Sequence, residues 1–121
     1  MARKPLLECS FLVPVRRDRN LSDGQPHGRK AWKWLETSLC EFGGASRATG
    51  LYEGWYVDPD TKEPVTDQSR RYVVAVARAK LGRLRALLGE ACEVFQQKCI
   101  YLSVAGQVEF VKPEYHEPEV R

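Results

Sequence analysis

Tyr72-Val73-Val74-Ala75-Val76-Ala77 is an unbroken run of β-favouring side chains without a single charge. A run of this kind suits a central strand that is paired on both sides. It closes a strand predicted over residues 65–77. Another strand, predicted over 47–57, leads into it through Asp58-Pro59-Asp60-Thr61-Lys62-Glu63-Pro64, whose prolines and aspartates fit a turn.

Outward from this pair the period changes. Trp32, Leu35, Leu39 and Phe42 recur at helical spacing and predict an amphipathic helix from about Gly28 to Phe42, stopped by Gly43-Gly44. Leu81, Leu84, Leu88, Ala91 or Cys92, and Phe95 predict a second helix from about Ala79 to Gln97, in which Gly82 and Gly89 mark close packing. Leu7, Cys9, Phe11, Val13 and Val15 share one parity and Glu8, Ser10 and Arg16 the other, so residues 6–16 form a first strand with one buried face. Residues 99–111 alternate like a last strand.

The order strand, helix, strand, strand, helix, strand is the ferredoxin-like β-α-β-β-α-β arrangement of the α+β class. It predicts a four-stranded antiparallel sheet with both helices on one face. Right-handed crossovers put the first and third strands at the centre and the second and fourth at the edges. Residues 6–111 form the single domain and residues 112–121 a flexible, acidic tail.

The 121 residues allow one domain, with 43% hydrophobic and 29% charged residues in ordinary globular proportion. Nineteen basic against sixteen acidic side chains leave +3, a mild excess concentrated in the N-terminal half. Cys9, Cys40, Cys92 and Cys99 form no C-x-x-C pair and read as free thiols in a reducing cytoplasm. No signal peptide or membrane span is legible, so the expected location is cytoplasmic, without membrane contact.

Two helices shield one side of such a sheet, and the other side carries Ser10, Leu12, Tyr52, Tyr56, Val73, Ala75, Tyr101, Ser103 and Ala105. That face is too apolar to be left to water, which predicts a homo-oligomer formed through it. An RNA-recognition sheet would instead set stacking aromatics on its two central strands, and the tyrosines fall on edge strands, so the nucleic-acid reading rests on basic charge alone.

Asp58, Asp60 and Glu63 lack the Gly and the final carboxylate of an EF-hand loop, the histidines and cysteines lack zinc spacing, and no Gly-rich phosphate loop opens a helix. Neither a metal nor a cofactor is called for. The arginines are more suggestive. Arg16 and Arg17 at the exit of the first strand, with Arg47 and Arg71, have the chemistry to clamp a carboxylate or phosphate, and Tyr52 and Trp55 stand near them as candidate ligand-binding aromatics. His27, in the long loop before the first helix, is the candidate catalytic acid or base; its plain alternative is a loop histidine.

Cys40-Glu41-Phe42-Gly43-Gly44, Gly50-Leu51-Tyr52-Glu53-Gly54-Trp55-Tyr56 and Phe95-Gln96-Gln97-Lys98-Cys99-Ile100-Tyr101 together resemble small uncharacterised bacterial proteins with an F-G-G, G-x-W and F-x-Q-x-x-I-Y pattern. The resemblance implies a ferredoxin-like fold and no activity. The element order is also similar in outline to signal-transduction proteins of the nitrogen-regulatory type. The leading expectation is therefore a non-enzymatic oligomeric module that binds a small anionic ligand or a protein partner. The alternatives are an enzyme acting on a small substrate through His27, and a nucleic-acid binder or nuclease using the basic N-terminal half.

Overall fold

The computed structural model describes residues 5–117. Strand β1 spans Leu6–Pro14 and helix α1 Arg29–Ser38, which continues as a short 3-10 turn over Leu39–Phe42. Strands β2 (Ser46–Arg47), β3 (Tyr52–Val57) and β4 (Pro64–Ala77) follow, then helix α2 (Leu81–Val94) and strands β5 (Ile100–Val104) and β6 (Gln107–Val111). The sheet is antiparallel, ordered β2-β4-β1-β5-β6, with β3 also paired to β4.

Six strands replace the expected four, for two local reasons. The predicted second strand breaks between Arg47 and Tyr52, where Gly50 takes φ +77°, a conformation that only glycine adopts cheaply. The predicted last strand folds back on itself at Ala105 and Gly106, both at positive φ as a two-residue hairpin turn requires. Consequently β6 covers β5, and of the predicted fourth strand only the second half, β6, lies at the edge. The central placement of β1 and β4 agrees with the crossover argument.

Both helices lie on one face. Cys9, Phe11 and Val13 of β1, Tyr72, Val74 and Val76 of β4, and Ile100 and Leu102 of β5 are buried there against Trp32 and Leu35 of α1 and Leu84, Leu88 and Ala91 of α2. Phe11 and Tyr72 are directly paired across the strands, and their rings stack 5.4 Å apart. Trp34 is half-buried at the margin of this core.

The opposite face keeps apolar groups in solvent, with Leu6 and Phe110 each 61% exposed and Val108 50%. Glycines 82 and 89 have the role their spacing suggests: the segment after β6 crosses α2 there, and a Cβ on Gly89 would stand 3.2 Å from the Lys112 carbonyl. No described helix is long and apolar enough to cross a membrane.

Candidate active-site groove

Strand β4 is longer than the partner that covers it. Its residues Ser69–Ala77 pair with β1, whereas the ladder from Pro64 to Gln68 is with β3, so the β3–β4 hairpin projects beyond the helices. The loop leaving β1 runs alongside this projection. Between the two lies a groove of about 780 Å³.

The loop is tied down by the polypeptide around it. Arg17 donates its amide to Gln25, Asp18 to the Gln96 carbonyl at 2.9 Å, and the Gln97 side chain donates to the Arg16 carbonyl at 2.8 Å. Buried Gln97 is therefore satisfied by the loop backbone, and Arg16, Arg17 and Arg19 are presented along one wall.

The other wall is the hairpin, with Glu53, Gly54, Trp55 and Tyr56 from β3 and Val65, Thr66 and Asp67 from β4. The β3–β4 register is unbroken, so Gly54 stands opposite Asp67 and Tyr56 opposite Val65. Gly54, Tyr56 and Asp67 consequently share a side, the same side as the uncovered face of the sheet.

Asp67 is half-buried and makes no side-chain hydrogen bond or ion pair among the described residues. Burial pushes its carboxyl above the ordinary range, because nothing compensates the charge for lost water. Gly54 stands across from it, and a Cβ there would touch Oδ1 at 3.4 Å. Burial, with Asp18, Asp67 and Asp58 nearby, pushes the Tyr56 hydroxyl up to about 12. At neutral pH it is therefore a proton-bearing donor. A carboxyl without a partner beside a phenol, with arginines on the facing wall, fits a ligand that bears both charges.

Of the residues singled out from the sequence, Arg16, Arg17 and Trp55 meet in this groove. Tyr52 and Arg71 sit just beyond it on the same side of the sheet, the guanidinium 5.8 Å from the ring centre. Arg47 lies elsewhere, donating to Glu36 at 2.9 Å, the carboxylate that also accepts from the Tyr72 hydroxyl at 2.7 Å.

His27 packs edge-on against Trp32 and Phe95 with its Nε2 2.8 Å from the Pro14 carbonyl. Burial pushes its pKa down, so Nε2 carries the proton and donates, and Nδ1 is buried without a partner among the described residues. It borders a separate, shallower recess with Arg29, Trp32 and Arg70.

Tyr56 was legible only as a face residue and Asp67 was missed. The available signal was an acidic residue at the open-face parity of a strand, opposite a glycine in its neighbour. It could be used only with the register in hand.

No protein-family model and no curated protein sequence matches the chain. Two solved structures match its fold. A phage SAM lyase in complex with S-methyl-5'-thioadenosine superposes with a TM-score of 0.69 at 15% identity, covering 97% of each chain. A phage SAM lyase in the apo state superposes with a TM-score of 0.63 at 18% identity, covering 97% of this chain and 98% of that one. These matches correct the leading expectation of a non-enzymatic binding or regulatory module, because the fold neighbours are an enzyme seen with a small nucleoside ligand.

Proposed function

We propose that the chain is a small-substrate enzyme of the SAM-cleaving kind, which splits S-adenosylmethionine and releases S-methyl-5'-thioadenosine from the groove between loop and hairpin. The observation that carries this reading is the Asp67 carboxyl, half-buried and unpaired across from Gly54 and beside Tyr56. The end-to-end fold match to a SAM lyase supplies the substrate class. A ferredoxin-like frame with a broken edge strand and an added hairpin strand provides the scaffold.

The chemistry asks little of the protein beyond placement. In S-adenosylmethionine the sulfonium is already a good leaving group. The substrate's own carboxylate oxygen attacks its γ-carbon, the carbon–sulfur bond breaks, and the electron pair goes to sulfur. A neutral thioether and a five-membered lactone that keeps the ammonium result. No water, oxidant or net proton transfer is needed.

Two opposite charges disappear in this step, so a groove that partly excludes water favours it over bulk solvent. In this reading Asp67 pairs with the substrate ammonium and fixes the four-carbon chain, and the Tyr56 hydroxyl donates to a substrate oxygen. Arg16, beside an Arg17 that Asp23 holds at 3.3 Å, orients the carboxylate through one oxygen and leaves the other free to attack. His27 has no part in it, since its Nε2 already donates to a backbone carbonyl.

Incubation of the purified protein with S-adenosylmethionine is expected to produce S-methyl-5'-thioadenosine and the lactone in equal amounts, read by liquid chromatography with mass detection. No product above the uncatalysed background would end this reading. We also propose that copies associate through the uncovered face bearing Leu6, Val108 and Phe110. A light-scattering mass of one chain at high concentration would refute it.

A further inference from the structure

At the edge of the groove lies a polar cluster of which Asn20 and Thr61 line it while Asp58, Asp60 and Lys98 stand behind. Asp58, the first residue of the β3–β4 turn, is only 1% exposed. Its carboxylate accepts from the amides of Asp60 at 2.8 Å and Thr61 at 3.1 Å, from the Asn20 side chain at 3.0 Å, and from Lys98 Nζ at 3.2 Å. Lys98 also reaches Asp60 at 2.6 Å.

Three separate parts of the chain therefore meet on one carboxylate: the hairpin tip, the loop carrying Arg16 to Arg19, and the segment before β5. Turn-closing aspartates ordinarily need only their own amides. Asp58 spends two further acceptor positions on long-range partners, 38 and 40 residues away in the chain. The two walls of the groove have few other direct ties: the Val15 amide donates to the Gln68 carbonyl at 2.8 Å, at the inner end where β1 gives out.

We propose that Asp58, with Lys98, is a positioning group that holds the loop wall through Asn20, sets the separation of the two groove walls and thereby the affinity for substrate, without itself touching it. Asp67 and Tyr56 are held relative to one another by the β3–β4 ladder, whose backbone pairing does not run through the long-range bonds to Lys98 and Asn20. Loss of the cluster lets the arginine-bearing loop drift from the hairpin and leaves the catalytic pair in register. The expected signature is weaker binding with little change in turnover.

The kinetic part rests on the activity proposed above; the exchange part does not. Asp58→Asn and Lys98→Met are expected to raise KM for S-adenosylmethionine and Kd for S-methyl-5'-thioadenosine by about tenfold, with kcat within about twofold. Lys98→Arg, which keeps the charge, restores most of the affinity. Hydrogen exchange at the Asp18, Leu21 and Ser22 amides, all bonded within or from the loop, accelerates in the two weakening variants.

Folded Asp58→Asn protein with unaltered KM, Kd and loop exchange would overturn the proposal. Should that variant not fold, Lys98→Met decides by the same measurements, since it removes a partly exposed group. If the unmodified protein neither binds the thioether nor cleaves the sulfonium, the activity reading falls and the exchange measurement alone decides the role of Asp58.

Discussion

The two halves of β4 are one strand in two environments. From Tyr72 to Val76 its alternate side chains are sealed under the helices, with Tyr72, Val74 and Val76 no more than 2% exposed. From Pro64 to Gln68 the strand leaves the helices, forms its ladder with β3, and presents a carboxyl that no partner satisfies. The first half is stabilised by apolar burial and has no group left to do chemistry. The second gives up that stabilisation and keeps a charged group partly out of water, an arrangement found where function opposes stability.

The sharpest way to break the comparison is to substitute a β1 residue packed on the sealed half and a residue of the projecting half itself. Phe11, which stacks on Tyr72 in the sealed half, is fully buried, and Phe11→Ala is expected to cost about 3–5 kcal/mol of stability, read as a fall in the denaturation midpoint. Asp67→Asn is expected to do the reverse, lowering kcat by roughly 10²–10³-fold while the midpoint holds or rises. If Asp67→Asn unfolds the protein, or Phe11→Ala leaves the midpoint unchanged, the two halves do not divide the labour as described.

The sealed half is also the half that the sequence made legible. Tyr72 to Ala77 could be only a buried strand, and the stripes at Leu35 and Leu39 and at Leu84 and Leu88 each had one reading, because apolar periodicity is a local signal that packing amplifies. The strand breaks at Gly50 and at Ala105-Gly106 were harder, since a glycine within a strand pattern signals a bulge, a turn or a close approach equally well. The projecting half was least legible. Asp67 gains its meaning from Gly54 opposite and from water excluded by the loop, both consequences of register and tertiary packing. Arg16, Arg17 and Trp55 could be found because arginine clusters and unpaired aromatics stand out by type. Arg47 and His27 stood out in the same way, yet pairing with Glu36 and packing between two rings engage them elsewhere.

The smallest expected effect concerns pH, and it separates two carboxylates of the same hairpin. Asp58 has its pKa held well below the usual carboxylate range by the Thr61 amide first, then Asn20 and the Asp60 amide, with Lys98 adding to them. Asp67 is shifted the other way, by burial alone. The signs of their contributions are opposite. A depressed carboxylate binds fewer protons folded than unfolded, so the stability from Asp58 is fully present above the ordinary carboxylate pKa of about 4 and is lost as pH falls through its lower folded value. A raised carboxylate binds more protons folded, so ionised Asp67 costs stability at neutral pH and that cost is relieved as pH falls through its raised value. Turnover should follow Asp67, because only its ionised form can hold the substrate ammonium. Activity is therefore expected to decline on acidification already above about pH 4, while the fold and the clamp at Asp58 persist. A profile of kcat/KM recorded beside near-ultraviolet circular dichroism over the same pH range tests this. Activity and tertiary signal vanishing together would mean that unfolding, and not protonation of the groove carboxyl, sets the acid limit.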